Sequence, residues 1–304
     1  MFEKTKISLS IPNSVRPGEY FSVKLKDNKF NERSEFRQPS KMFVVSDIEG
    51  NFHSFVNLLL KNGVVDRQFK WRFGDGHLII VGDCFDRGEQ VAECLWLIYA
   101  LEERALIEGG YVHFILGNHE IMNMNGDWRY VHPKYAPKSP RASTPSAALY
   151  DANSELWRWL RTKNIIEKIG RTLFVHGGIS TELLQYGLSV PEINNLARAH
   201  YTSAYEKFTD PVLNTIFNSD YSPFWFRGYY QQNISEEQVE ATLKYFSVNT
   251  IVTGHTIVEK VSSFFNGKVM NVNTDHASGR SEALLIHKNK YYRIEREGRR
   301  ERMK

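Results

Sequence analysis

Residues 78–88 read LIIVGDCFDRG, and this stretch joins an apolar, β-branched run to a loop of acidic and basic residues. The run predicts a buried strand, and the glycine that follows it predicts a turn. Open α/β sheets place their ligands at the carboxyl ends of strands. The loop at residues 82–88 is therefore expected to contribute to a functional site at a sheet edge.

Four further segments have the same character, and most of them also follow an apolar run: residues 47–51 (DIEGN), 117–120 (GNHE), 176–178 (HGG) and 254–256 (GHT). Apolar periodicity between them predicts alternating strands and helices. Strands are predicted at 42–45, 78–81, 112–116, 172–175, 250–253, 268–272, 283–287 and 291–294. Helices are predicted near 52–60, 91–106, 154–162, 191–207 and 235–246.

These five segments, in this order, resemble the metallophosphoesterase superfamily. The patterns Gly-Asp-x-x-Asp-Arg-Gly, Gly-Asn-His-Glu, His-Gly-Gly and Gly-His-Thr are similar to the phosphoprotein phosphatase branch. The continuation at 117–131 (GNHEIMNMNGDWRYV) and residues 223–228 (PFWFRG) resemble the Shewanella-like phosphatases. The match spans about residues 42–287. It implies an α/β fold in which two mixed sheets pack face to face as a β-sandwich flanked by helices.

The resemblance also implies a pair of divalent metal ions that share the carboxylate of Asp83. One ion would be held by Asp47 and Asp83, and the other by Asp83 together with Asn118, His176 and His255. A mixed set of oxygen and imidazole ligands suits Mn, Fe or Zn better than Ca. We therefore expect two divalent ions as cofactors.

The chain departs from the family at Glu49, because the family motif is Asp-x-His and this sequence has Asp47-Ile48-Glu49. A glutamate ligates through an anionic oxygen and lowers the net positive charge of the site. We predict that Glu49 is a metal ligand. The alternatives are an outer-shell role for Glu49 and loss of the first ion.

The same match implies catalytic roles for four residues. His119 would protonate the leaving group and Asp86 would orient it. Arg87 and Arg227 would hold phosphate oxygens, a task that suits the guanidinium group. The alternative for Arg227 is a surface charge beside the aromatic packing of residues 225 and 226. The alternative for Asp86 is a carboxylate that only caps the loop. A metal-bound hydroxide would attack phosphorus directly.

The leading hypothesis is a phosphomonoesterase that acts on phosphorylated protein or peptide side chains (Ser/Thr or Tyr), and on small phosphoesters. A dinucleoside polyphosphate hydrolase is one alternative. A catalytically weakened metal-binding scaffold is the other, because of Glu49. Neither Cys84 nor Cys94 lies in a Cys-x5-Arg loop, which argues against a cysteine-dependent phosphatase.

Composition limits the partners of the chain. The net charge of +4 resides in residues 289–304, and the rest of the chain carries 32 basic and 32 acidic residues. A nucleic-acid-binding face is therefore not expected. No apolar run reaches the ~18 residues of a membrane span, and no signal core follows the first residues. We expect a cytoplasmic protein with no membrane partner.

Three regions are predicted along the 304 residues. Residues 1–40 form an N-terminal extension with a short strand or hairpin. Residues 41–294 form the catalytic domain, with a lid-like loop at 125–148 and a helical cap or flank at 180–247. Residues 295–304 form a basic, solvated C-terminal tail.

Overall fold

The computed structural model describes residues 7–135, 153–203, 208–217, 220–231 and 234–303. Fourteen strands lie in these ranges: β1 Ser8–Pro12, β2 Tyr20–Lys24, β3 Glu35–Phe36, β4 Lys41–Val45, β5 His77–Val81, β6 Tyr111–Ile115, β7 Ile166–Ile169, β8 Thr172–Val175, β9 Thr250–Thr253, β10 Ser262–Phe264, β11 Val269–Asn271, β12 Glu282–His287, β13 Lys290–Glu295 and β14 Arg300–Arg302. No helix within those ranges is long and apolar enough to cross a bilayer.

Eight helices accompany the strands in the same ranges: α1 Phe52–Lys61, α2 Val91–Ile107, α3 Asn118–Met124, α4 Glu155–Leu160, α5 Thr181–Leu184, α6 Val190–Ala199, α7 Pro211–Phe217 and α8 Glu236–Phe246. The sequence predicts a capping box at the start of α8, from Ser235 with Gln238 three residues later. It is present, because each of the two side chains accepts a bond from the backbone N–H of the other residue. The predicted helix at 191–207 ends at Ala199, with His200 as its C-cap.

The first sheet has the strand order β14-β13-β12-β4-β5-β6. Its strands β4, β5 and β6 are parallel, and α1 and α2 form their crossovers. Crossovers of this kind bring the carboxyl ends of parallel strands to one edge. Three of the predicted ligand segments therefore emerge side by side.

The second sheet has the order β10-β11-β9-β8-β7-β3. Strands β8 and β9 are parallel neighbours, and β11 is parallel to β9. The segments that contain His176 and His255 follow β8 and β9 directly. Their carboxyl ends face the same site as those of the first sheet.

Apolar side chains from both sheets form a continuous layer of buried residues, including Val44 and Val81 from the first sheet and Phe174, Val252 and Met270 from the second. All four residues after Lys41 in β4 are buried, because the other face of this sheet is covered by helices. This burial on both faces explains the uninterrupted apolar runs that the sequence shows at these strands. The α/β sandwich expected from the sequence is confirmed.

The two ends of the chain are more closely tied to the sheets than the sequence suggested. Strands β1 and β2 form an antiparallel hairpin, whereas β3 joins the second sheet through β7. Within the expected solvated tail, Arg300–Arg302 pairs with β13 as an edge strand. Its side chains are exposed, so a sequence of charged residues conceals a backbone that is hydrogen-bonded at the sheet edge.

Of the expected lid-like loop, residues 125–135 are described, and the buried Tyr135 donates its hydroxyl to the Glu89 carbonyl just before α2. Residues 136–148 lie outside the described residues. The expected flank contains α5 to α8.

Candidate active site

A cavity of about 270 Å³ opens where the carboxyl ends of the two sheets meet. Its lining includes eight of the ten residues singled out from the sequence: Asp47, Glu49, Asp83, Arg87, Asn118, His119, Arg227 and His255. The other two, Asp86 and His176, are buried and bond to residues of this lining. We call this cavity the catalytic pocket.

One group of possible metal ligands consists of Asp83, His176 and His255, whose ligand atoms all lie within 4.8 Å of one another. The Nε2 atom of His176 lies 2.9 Å from Oδ2 of Asp83 and 3.0 Å from Oδ1 of Asn118. The Nδ1 atom of His176 donates to the Val81 carbonyl at 2.7 Å. This bond makes Nε2 the ring atom directed at the other ligands. Burial disfavours the imidazolium, but the Asp83 carboxylate outweighs it and raises the pKa of His176 to about 9, so a cation would bind Nε2 in exchange for its proton.

His255 carries the clearest sign of a ligand site. Its Nε2 atom is buried and has no hydrogen-bond partner among the described residues. Burial lowers the pKa of His255 well below its ordinary value, so the imidazole is neutral and has a free lone pair. A buried polar atom without a partner is costly unless a ligand satisfies it. A divalent cation fits this atom and its anionic neighbours.

Asp47 also lines the catalytic pocket and is fixed by three donors. Its Oδ1 accepts from Nδ2 of Asn273 at 2.9 Å, and its Oδ2 accepts from the His255 N–H at 3.1 Å and from the Ser46 hydroxyl. Burial and the neighbouring Asp83 raise the pKa of Asp47 to about 6, although His176 lowers it. A cation between the two carboxylates would relieve their repulsion.

Glu49 belongs to a second group of possible ligands, together with Asp83 and His119. Its Oε1 atom lies 2.6 Å from Nη1 of Arg87. Burial and the Asp47 carboxylate raise the pKa of Glu49 to about 8, against the opposing effect of Arg87. The glutamate thus places a ligand oxygen within 4.8 Å of ligand atoms of Asp83 and His119, and it is paired with Arg87.

His119 lies beside this cluster, and its ring is oriented by Asp86. Its Nδ1 lies 2.5 Å from Oδ2 of Asp86, whose Oδ1 accepts from Nδ2 of Asn123 at 2.9 Å. The opposite ring atom, Nε2, lies 3.9 Å from Oδ2 of Asp83. Burial disfavours the imidazolium, but the Asp83 and Asp86 carboxylates outweigh it and raise the pKa of His119 to about 9.

Both arginines line the catalytic pocket. Arg87 is largely exposed, and its backbone N–H donates to the Tyr130 carbonyl at 2.9 Å. Arg227 is half-buried, and its Nη1 donates to the His255 carbonyl and to the Thr256 hydroxyl, both at 3.1 Å. Aromatic packing alone does not account for Arg227, because its side chain lines the pocket.

The loop backbone is unusual at the site. Asp47, Glu49, Asp83, Arg87 and His255 all have φ values between +47° and +62°. For a residue with a Cβ this left-handed conformation costs energy and is concentrated at functional sites. A Cβ added to Gly117 would overlap the Asp83 carboxylate, so the loop after β6 requires glycine there.

Glu120 holds the backbone of the loop at residues 82–88. Its carboxylate accepts four backbone N–H groups, from Asp83, Cys84, Phe85 and Gly117, at distances of 2.7–3.2 Å. These bonds connect the loop after β5 to the loop after β6. They fix the backbone that carries Asp83 and Asn118.

Several contributors were not singled out from the sequence. Asn273 follows β11 as the ligands follow their strands, so the same pattern could have identified it. Trp225 and Ile257 line the pocket as aromatic and apolar walls, next to Tyr130, which the sequence places in the expected lid-like loop. Such residues give no local signal in a sequence, because aromatic and aliphatic side chains most often belong to the core.

Comparisons with known proteins agree with this geometry. A family model described as calcineurin-like phosphoesterase matches residues 40–259. An uncharacterized protein of Schizosaccharomyces pombe is 30% identical and aligns over 86% of this chain and 81% of its own length. Shewanella-like protein phosphatase 2 of Arabidopsis thaliana is 24% identical over 83% of this chain and 75% of that protein. Among solved structures, a cold-active protein-tyrosine phosphatase of a psychrophilic Shewanella species is 36% identical, with a TM-score of 0.89, and covers 97% of this chain and 90% of that chain.

Proposed function

This chain belongs to the calcineurin-like phosphoesterase family and is a metal-dependent hydrolase, and we propose that it removes phosphate from phosphorylated tyrosine side chains of proteins. The observation that carries the proposal is the placement of His119. One ring nitrogen is held by Asp86, and the other faces the pocket beside Asp83. A positioned acid at a ligand cluster suits the release of an alcohol or phenol from phosphate.

The residues around the acid divide the remaining work. We propose that Asp47, Glu49, Asp83, Asn118, His176 and His255 hold two ions, and that these are Mn, Fe or Zn. When bound, such ions polarise phosphate oxygens and supply a nucleophile at neutral pH. Arg87 and Arg227 bind the phosphate oxygens. His119 donates the proton from Nε2 to the leaving oxygen, and Asp86 stabilises the imidazolium before the transfer.

The walls of the pocket favour an aromatic leaving group. The Tyr130 ring lies 5.3 Å from the His119 ring, and the Trp225 ring lies 5.6 Å from that of His255. Ile257 is 62% exposed although it lines the same cavity. A phosphotyrosine ring would cover these apolar surfaces, whereas a phosphoserine side chain would leave them exposed to water. The Shewanella relative, a protein-tyrosine phosphatase, supports this choice.

The experiment compares kcat/KM for peptides of one sequence that carry phosphotyrosine or phosphoserine, and for diadenosine tetraphosphate, under the same metal. We expect the phosphotyrosine peptide to be favoured over both by more than about tenfold, which corresponds to ~1.4 kcal/mol of transition-state binding. A preference for the phosphoserine peptide would mean that the enzyme acts on phosphoserine rather than on phosphotyrosine. A tenfold preference for the nucleotide would establish a dinucleoside polyphosphate hydrolase instead.

The scaffold hypothesis is tested by metal content together with turnover of p-nitrophenyl phosphate. Two ions per chain and measurable turnover support the enzyme, whereas one ion without turnover supports a scaffold. The presence of His119, Asp86 and Arg87 favours the enzyme, because a scaffold needs neither an acid nor a phosphate-binding cation. The cytoplasmic location remains a prediction.

A further inference from the structure

A second cavity of about 580 Å³ lies beside the catalytic pocket. Its lining includes Glu182 of α5, Asp220, Ile234 and, at its border, Trp225 and Arg227. The last two residues also line the catalytic pocket, so the two cavities adjoin. Its size lies within the ~300–1,000 Å³ that is typical of ligand sites. We call this second cavity the side cleft.

The side cleft has an apolar base and an acidic rim. Phe226 and Ile234 are buried beneath it, and Trp225 is half-buried at its border. Glu182 and Asp220 are the acidic members of its lining, and Arg227 is the basic one. The Arg227 guanidinium is already engaged by the His255 carbonyl and the Thr256 hydroxyl.

Neither carboxylate of the rim is neutralised within the described part of the chain. Glu182 accepts only a 3.2 Å bond from the Thr181 hydroxyl, and no salt bridge involves Glu182 or Asp220 there. An acidic rim above an apolar base matches a lysine or arginine side chain, which has an apolar stem and a cationic end. The apolar base and the continuity with the catalytic pocket distinguish this cleft from a solvated acidic surface.

We propose that the side cleft binds a lysine or arginine of the substrate that lies close to the phosphorylated residue. A peptide whose phosphate lies in the catalytic pocket would pass over Trp225 and place its neighbouring residues in the cleft. The aliphatic stem of that lysine or arginine would pack on Phe226 and Ile234, and its charge would pair with Glu182 and Asp220. This inference rests on the proposed function and specifies the substrate sequence.

The test measures kcat/KM for phosphotyrosine peptides in which one flanking position at a time is lysine, alanine or glutamate, on both sides of the phosphotyrosine. Exposed charge pairs are individually weak, so we expect lysine to be favoured over glutamate by roughly three- to tenfold on one side. In the double variant Glu182→Gln and Asp220→Asn this ratio should fall to about one. The matched control Glu108→Gln removes one exposed charge after the C-terminal end of α2 and should leave the ratio unchanged.

p-Nitrophenyl phosphate has no flanking residues, so its turnover distinguishes a failure of the side-cleft inference from a failure of the proposed function. Its turnover should be the same in the double variant and in the parent protein, which shows that the variant is folded. A flanking preference that is absent, or that survives in the double variant, would overturn the inference while leaving the proposed function intact. Turnover of this ester without turnover of any phosphopeptide would contradict the proposed function itself.

Discussion

The Oε1 atom of Glu49 lies 2.6 Å from the Nη1 atom of Arg87. The pair joins the residue that departs from the family motif to a residue expected to bind phosphate. As a metal ligand, a glutamate in place of a neutral imidazole would add a negative charge to the site, and Arg87 would compensate for that charge. Arg87, in the loop at residues 82–88, is therefore the partner that accommodates glutamate in place of histidine at position 49.

Glu49→Ala should reduce metal binding at the first position. Because the substitution removes an anionic ligand, we expect the affinity for one ion to fall by at least about tenfold and the content to approach one ion per chain. Elemental analysis of protein purified without chelator measures this. Glu49→His is the matched variant, and it should retain two ions because it restores the ligand of the family motif. Two tightly bound ions in Glu49→Ala would assign Glu49 to an outer role.

Metal uptake should release protons near neutral pH. The pKa of Asp47 is raised to about 6 and that of Glu49 to about 8, chiefly by burial, and a cation binds only the ionised carboxylates. Metal affinity should therefore increase as the pH rises from below 6 to above 8. Titration calorimetry in buffers of different ionisation enthalpy counts the protons released. Glu49→Gln should release fewer than the parent protein, and an equal count would show that Glu49 stays protonated or unbound.

His119→Ala should lower turnover of phosphotyrosine peptides by about 10²–10⁴, with both ions retained. The substitution removes the proton donor but leaves the ligand set intact. Esters with more acidic leaving groups need less protonation, so the loss should shrink along a series of aryl phosphates of decreasing phenol pKa. A loss that is independent of the leaving group would mean that His119 contributes something other than a proton.

Asp86→Asn should shift the descending limb of the pH–rate profile to lower pH. The Asp83 and Asp86 carboxylates raise the pKa of His119 to about 9 against the effect of burial, and the acid works only while protonated. Activity should thus be lost as the pH rises through this pKa. Bound cations oppose the imidazolium, so the limb in the loaded enzyme lies at or below pH 9. An unchanged pH–rate profile in Asp86→Asn would mean that Asp86 does not raise the pKa of His119.

The sequence predicted the ligand loops because their chemistry and their position are both local. A buried strand such as β5 is an uninterrupted apolar run, and Asp83 follows its end after a single glycine. The capping box at Ser235 is equally local. In contrast, β3 has only two residues and β14 is Arg-Glu-Arg, so their pairing is determined by the neighbouring strand and leaves little pattern.

Contacts between distant segments could not be predicted in this way. The bond from Asn273 to Asp47 spans 226 residues, and the Glu49–Arg87 pair depends on left-handed backbone at both residues. The aromatic wall at Trp225 becomes recognisable only when the cavity is seen. Tertiary packing, rather than local propensity, assembles these parts of the site.

The most direct test is anomalous diffraction from crystals grown with Mn²⁺. We predict two manganese peaks about 3.5–4 Å apart, the separation of two-metal sites, with the Asp83 carboxylate between them and His176 and His255 on one of them. A single peak, or two peaks that do not share Asp83, would contradict the central claim.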